Sequence, residues 1–226
     1  MQNNHTSQKI KQLTATAIFC ALAYACAALI RIPVQFLTLD LKDSLIILCS
    51  LLFGPVSGLS TAVIVPFLEF LSVGSGTGIY GLIMNILSSV TFAAVTGWIY
   101  YRRKSMAGAT IGLVSGVFAV TAVMLLANLF ITPYYIGQPT AVVAQMIPTI
   151  LFPFNLIKAV LNAAIVLLLY KPLSRILKKL GFIRASKREE ISAEQKKRDA
   201  IRTALVTTIA VLVISVSLLI IFLVLR

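Results

Sequence analysis

Long apolar runs separated by short polar interruptions dominate the chain, and most runs have the length of membrane-crossing helices rather than of strands. Residues 1–11 are polar, with Lys9 and Lys11, and give way to an apolar run from Leu13 to Ile30. Ala17, Ala21 and Ala25 recur there every four residues, which puts them on one helical face and lets a second helix approach closely. The Ala-x-Ala spacings at Ala21/Ala23 and Ala25/Ala27 also fit a signal-peptide cleavage site. The small residues continue at helical spacing instead of clustering at one point, so a retained first span is expected. Arg31 to Asp43 reads as a loop carrying Pro33, Asp40, Lys42 and Asp43. The next run, Ser44 to Phe53, falls short of the roughly 20 residues that cross a bilayer. It stops at Gly54-Pro55, and a further run from Val56 to Ser72 follows, which predicts two helices joined by a tight reversal.

Gly74-Ser-Gly-Thr-Gly78 is a flexible loop before a fourth span, Ile79 to Tyr101. That span ends in Trp98, Tyr100 and Tyr101, an aromatic belt of the kind found at a membrane surface, and Arg102-Arg103-Lys104 follows. A fifth span, glycine-rich at its start, runs from Met106 to about Ile131. The segment from Thr132 to Pro148 has three prolines and no charge and reads as a loop, after which a sixth span, Thr149 to Leu169, is entered through Pro153. Residues 171–202 hold eleven Lys or Arg against Glu189, Glu190, Glu194 and Asp199. A last apolar run, Ala204 to Leu225, predicts a seventh, accessory anchor. The expected organisation is a tail over 1–11, a six-helix membrane unit over 12–177, a basic linker over 178–202 and a final helix over 203–226.

Composition agrees with this pattern: 59% of residues are hydrophobic and 12% charged, where a soluble domain carries about a quarter charged residues. The net charge of +13 follows the membrane segments instead of covering a soluble face with interleaved aromatics, which argues against nucleic-acid binding. Cytoplasmic loops retain Lys and Arg, so the N-terminal tail, residues 102–104 and residues 171–202 are expected inside. Six spans between the first and last of these satisfy that parity, leaving the loops at 31–43, 74–78 and 132–148 outside and the C-terminus outside. Cys20, Cys26 and Cys49 lie in or beside apolar runs without C-x-x-C spacing, and His5, the one histidine, sits in the polar tail. Metal, thiol and histidine chemistry therefore have little material.

Ionisable residues inside spans cost roughly 2.5–3.5 kcal/mol on insertion scales and are functional candidates by default. Two qualify, Glu69 and Lys158. Asn155, Lys158 and Asn162 follow i, i+3, i+7 spacing and share one face of the sixth span. Asn85 lies about two turns into the fourth span and Asn128 near the outer end of the fifth. Lone asparagines usually bond between helices, for about 0.6 kcal/mol each, and Glu69 has a basic outer-loop residue within reach as an ordinary partner. Phe36, Leu37, Tyr80, Phe130, Tyr134, Tyr135, Phe152 and Phe154 lie at the same level. Each alone reads as an interfacial anchor; with amides and one cation they suit a flat heterocycle.

Leu39-Asp-Leu-Lys-Asp43, Leu52-Phe-Gly-Pro-Val-Ser-Gly58, the alanine face of the first span and Phe154-Asn-Leu-Ile-Lys158 together resemble the substrate-binding S components of energy-coupling-factor vitamin transporters. The resemblance covers roughly residues 12–177 and is nearest to the riboflavin-binding members. It implies an all-α integral membrane protein of the bacterial cell membrane, a six-helix bundle with an extra C-terminal helix. It also implies a non-enzymatic role: capture of riboflavin or a related flavin from outside, without a resident cofactor. In the family, flavin-binding amides sit on the fifth and sixth helices with a lysine three residues after the second, which Asn128, Asn155 and Lys158 match. Leu37 and Leu39 would cover the ring system, Asn85 and Glu69 would complete the site, and Ala17, Ala21 and Ala25 would dock on a membrane coupling subunit served by two separate ATPases. Glu69 departs from the basic and amide residues of riboflavin-binding members in that region. No G-x-x-x-x-G-K-[ST] phosphate loop is present, so ATP hydrolysis by that route falls to the partners. An S component for another vitamin such as pantothenate, or an ion-coupled secondary transporter using a Glu69/Lys158 pair, are the alternatives.

Overall fold

Proline and glycine decide where the apolar runs break into separate elements. The computed structural model describes residues 2–73, 78–183, 205 and 208–217. The first helix, α1 (Gln2–Leu29), leads into an antiparallel hairpin of β1 (Ile32–Val34) and β2 (Leu37–Leu39). Val34 pairs with Leu37, so Gln35 and Phe36 alone form the turn. Gln35 takes a φ of 54°, the left-handed geometry that two-residue hairpin turns require. The expected loop over 31–43 is therefore a small sheet followed by the first residues of a helix.

That helix, α2 (Lys42–Phe53), is 12 residues long, about 18 Å at 1.5 Å per residue. It cannot cross a bilayer and ends, as expected, at a reversal: Gly54 adopts a φ of 98° and Pro55 opens α3 (Pro55–Ser72). Gln12 on α1 donates from Nε2 to the Phe53 carbonyl at 2.7 Å and to Ser57 Oγ at 3.1 Å, satisfying a carbonyl that the end of α2 leaves unpaired.

After α4 (Gly78–Arg102), α5 runs from Met106 to Ile136, past the expected end at Ile131 and through Pro133. Gly137, with a φ of 69°, closes it by donating its N–H to the Pro133 carbonyl. The expected loop over 132–148 then shrinks to a short turn, because α6 (Thr140–Met146) begins directly after Pro139 and passes through a π-helical turn, Ile147–Leu151, into α7 (Phe152–Lys179). Pro148 and Pro153 carry no N–H, and local π-helical adjustment is one way a membrane helix absorbs prolines. The sixth span is thus one interrupted helix from Thr140 to Lys179.

Among the described residues, five helices are long and apolar enough to cross a membrane: Gln8–Leu29, Pro55–Ser72, Gly78–Arg102, Met106–Ile136 and Thr140–Lys179. With the short α2 they form the expected six-helix, all-α membrane bundle, qualified by the one hairpin. α2 packs against α1, α3, α4 and α7, which is why Ile46, Ile47, Leu48 and Cys49 are all fully buried. The main core joins α2 through Ile47, Leu48 and Leu51 to Phe92 of α4, Val117 and Val120 of α5 and Val166 of α7. Of the expected seventh span, Leu205 and Thr208–Ser217 are described and helical. Ile214 packs on the cluster around Leu39 and Leu161. The rest of that span, and residues 184–202 of the basic linker, lie outside the described residues.

The closest helix pair is α4 and α5. Gly108, Gly112 and Gly116 recur every four residues along α5 and let it settle onto α4, where Thr96 Oγ1 donates to the Gly112 carbonyl at 3.2 Å. A Cβ on Gly112 would come within 2.8 Å of the Thr96 carbonyl oxygen. Overpacking of this kind costs about 1–3 kcal/mol. Gly112→Leu is therefore expected to lower the melting temperature of the detergent-purified protein by several degrees, whereas Ile111→Leu on the exposed neighbouring face leaves it within about one degree, as thermal-shift curves will show.

Candidate functional site

Two lysines converge on one buried carboxylate just below the hairpin. Lys42, the first residue of α2, is wholly buried, and its ammonium lies 2.6 Å from Glu69 Oε2 on α3 and 3.3 Å from Asp40 Oδ2. It also donates to Asn85 Oδ1 on α4 at 3.2 Å. Lys158 on α7 reaches the same Asp40 oxygen at 2.8 Å and the Thr38 carbonyl at 3.3 Å. Arg31 Nη2 approaches Glu69 Oε1 at 3.6 Å, and Ser89 donates to Asp43 Oδ1. Three cations, Arg31, Lys42 and Lys158, thus balance three carboxylates, Asp40, Asp43 and Glu69. Burial alone would raise the Asp40 carboxyl, but the ammonium groups of Lys158 and Lys42 outweigh it and hold the group below the usual carboxylate range.

Asn162 shows how local structure depends on this cluster. No side chain at the start of α2 caps its own helix. Instead Asn162, from α7, accepts from the Ser44 N–H at 2.8 Å and donates to the Asp40 carbonyl at 3.2 Å. The free N-terminal amides of α2 are satisfied by a neighbouring helix, which lets the helix begin inside the bundle.

Above the cluster lies a cavity of about 530 Å³, within the range of small-molecule sites. Phe36 and Leu37 of the hairpin, Met84 of α4, Met124 and Tyr135 of α5 and Phe154 of α7 give it apolar walls, and Asp40, Glu69, Asn85, Asn128, Asn155 and Lys158 supply polar groups. Aromatic rings gather at its mouth: Tyr135 lies 6.3 Å from Phe36 and 6.4 Å from Tyr80, and Tyr80 stacks on Tyr134 at 6.3 Å.

Six of the seven expected site residues meet in this cavity: Leu37, Glu69, Asn85, Asn128, Asn155 and Lys158. Leu39 does not line it, because its side chain packs against Leu161 and is buried in that cluster. Glu69 and Lys158 do not pair with each other, since each has other partners. Asp40 and Lys42, read from sequence as loop residues, are the charged centre of the site. The signal available was the placement of Asp40, Lys42 and Asp43 directly before an apolar run too short to span a membrane. Unused hydrogen-bonding capacity points to a ligand. Two of the three N–H groups on the Lys158 ammonium have partners. Asn155 engages the Leu151 carbonyl through Nδ2 alone, and Asn128 the Met124 carbonyl and the Thr132 hydroxyl.

Residues 11–170 match the family model described as ECF transporter, substrate-specific component. The chain belongs to this family. Among known relatives, the riboflavin transporter RibU of Staphylococcus aureus (strain TCH60) is 28% identical over 184 residues, covering 76% of this chain and 95% of that protein. The riboflavin transporter FmnP of Bacillus subtilis (strain 168) is 26% identical over 179 residues, covering 72% and 91%. A solved structure described as the S component of a bacterial ECF transporter matches with a TM-score of 0.65 at 26% identity, over 75% of this chain and 99% of that one. The family and the all-α membrane fold expected from the sequence are both borne out. On this ECF component, Ala17 and Ala21 are exposed on α1 and Ala25 is half-buried, whereas Ala15, Ala23 and Ala27 face the bundle.

Removing one member of a buried charge network strands the others, at about 3–5 kcal/mol. Lys42→Ala is therefore expected to destabilise the protein severely. Lys42→Met combined with Glu69→Leu should recover much of the loss. Thermal unfolding of the two variants side by side checks this, and a double variant no more stable than Lys42→Ala would contradict the network.

Proposed function

We propose that this chain is the substrate-capturing subunit of an energy-coupling-factor importer and that its substrate is riboflavin or a close flavin relative. The observation that carries the reading is the cavity. Apolar and aromatic walls face a set of side chains whose remaining donors and acceptors complement the carbonyl/N–H/carbonyl edge of a flavin. Asn155 offers an acceptor beside donors from Lys158 and Asn128, the pattern that an imide edge needs. Leu37 and Phe36 on the hairpin cover the ring, and Asn85 lines the far wall. The relatives named as riboflavin transporters support the same substrate.

The hairpin end of the bundle faces the outside in this proposal. Lys11, Arg102, Lys104, Lys178 and Lys179 all belong to the other end, where positively charged residues are retained in the cytoplasm. The N-terminus is then inside, the unit over 12–177 does the binding, and the helix over 203–226 returns the chain outward. Substrate enters past the Phe36, Tyr80 and Tyr135 rings. Transport requires partners, a membrane coupling subunit and two ATPases, which Ala17, Ala21 and Ala25 meet through their small-residue face.

Protein purified from cells grown with riboflavin is expected to be yellow, and the stripped protein to quench riboflavin fluorescence on titration. Lys158→Ala and Asn155→Ala each remove a hydrogen bond in a desolvated site and should weaken binding by about 1–3 kcal/mol. Ala21→Leu should leave that affinity unchanged and abolish uptake in cells carrying the whole transporter. Colourless protein that leaves riboflavin fluorescence unaltered refutes the flavin assignment. Ion-gradient-driven uptake by this chain alone in liposomes would favour a secondary transporter instead.

A further inference from the structure

The charges around the cavity are already matched, and this restricts what can enter. Of the four charged residues lining it, Arg31 faces Glu69 at 3.6 Å and Lys158 faces Asp40 at 2.8 Å. Behind them Lys42 is held between Glu69 and Asp40, and Asp43 accepts from Ser89. Neither lining cation is without a carboxylate. Asp40 Oδ1 is buried with no hydrogen-bond partner among the described residues, so the carboxylate side of the cluster is short of donors, not of negative charge. A ligand that brings hydroxyl or N–H donors relieves this shortage. A ligand that brings a phosphate must pull Arg31 or Lys158 from its carboxylate, or lie unpaired beside Glu69 and Asp40 where water is scarce. Buried charge without a partner is strongly disfavoured.

We infer that this cavity selects an uncharged, hydroxyl-bearing flavin over its phosphate ester, and that Glu69 is the residue that sets the selectivity. This rests on the flavin reading above and goes beyond it, since a flavin site with an unpaired cation would take both forms. Glu69 is placed to act this way because it lines the cavity while neutralising Arg31 and Lys42 together. Exchanging its carboxylate for an amide leaves the shape of the cavity and gives it one net positive charge.

The test is a fluorescence titration of the stripped, full-length protein with riboflavin, riboflavin 5′-phosphate and the neutral 5′-O-acetyl ester. The wild-type protein is expected to bind riboflavin about a hundredfold more tightly than the phosphate, the scale of one or two unit charges close by in a protein interior. The acetyl ester should bind within about tenfold of riboflavin. Glu69→Gln should narrow the riboflavin-to-phosphate ratio by about tenfold, chiefly by tightening phosphate binding. A phosphate affinity equal to that of riboflavin overturns the inference and leaves the flavin reading standing. So does an acetyl ester rejected as strongly as the phosphate, because bulk and not charge would then set the selectivity; that comparison needs no variant to fold. A Glu69→Gln protein that binds riboflavin with an unchanged ratio removes Glu69 from the role. Binding of none of the three refutes the flavin reading and this inference with it.

Discussion

A carboxylate shared by two ammonium groups in a low-dielectric interior constrains the rest of this bundle. Asp40 must stay close to both Lys42 and Lys158, and Lys42 must stay close to Glu69, because any one of these charges left alone would cost several kcal/mol. These ties join the hairpin, α2, α3 and α7 at one level. They also explain why a helix too short to cross the membrane is placed in the middle of it. α2 starts where its polar N-terminal residues find partners, Lys42 on Glu69 and Asn85, Asp43 on Ser89 and the Ser44 amide on Asn162.

Placing α2 low in the bundle leaves room above it. The hairpin roofs that room, α4 and α5 wall it, and the interrupted helix over Thr140–Lys179 supplies Phe154, Asn155 and Lys158. Polar groups in the cavity are anchored by helix backbone on one side, as Asn128 is by Met124 and Asn155 by Leu151. Their remaining capacity points to a ligand already oriented, which reduces the ordering that binding requires. The hairpin has a different character: a two-residue turn with Gln35 at positive φ and an aromatic tip resting on Tyr135. A rigid floor of charge and amides beneath a light roof is an arrangement in which capture and enclosure fall to separate parts of the chain.

Much of this was legible in the sequence, where hydrophobic length and loop charge dominate. The spans, the reversal at Gly54-Pro55 and the shared face of Asn155, Lys158 and Asn162 all follow from periodicity and breaker residues. The segment over 132–148 was misread because three prolines ordinarily end helices, whereas here Pro133 sits in the last turn of α5 and Pro148 and Pro153 are absorbed beside a π-helical turn. Lys42 was misread for a related reason. A lysine between two aspartates looks solvated until the long-range partner, Glu69, is known, and no local pattern announces a partner 27 residues away. Leu39 looked like a lid residue beside Leu37, and only the packing of Leu161 and Ile214 shows that it anchors the hairpin base instead.

The central claim is that the charge-balanced cavity beneath the hairpin is where a flavin is held. An experimental structure of the purified protein with riboflavin bound tests it most directly. The account predicts the isoalloxazine between the hairpin and α4, α5 and α7, with its polar edge on Asn128, Asn155 and Lys158 and the Asp40–Lys42–Glu69 contacts intact. Riboflavin bound elsewhere on the protein, or in the cavity with Lys158 and both amides turned away from it, would contradict the account.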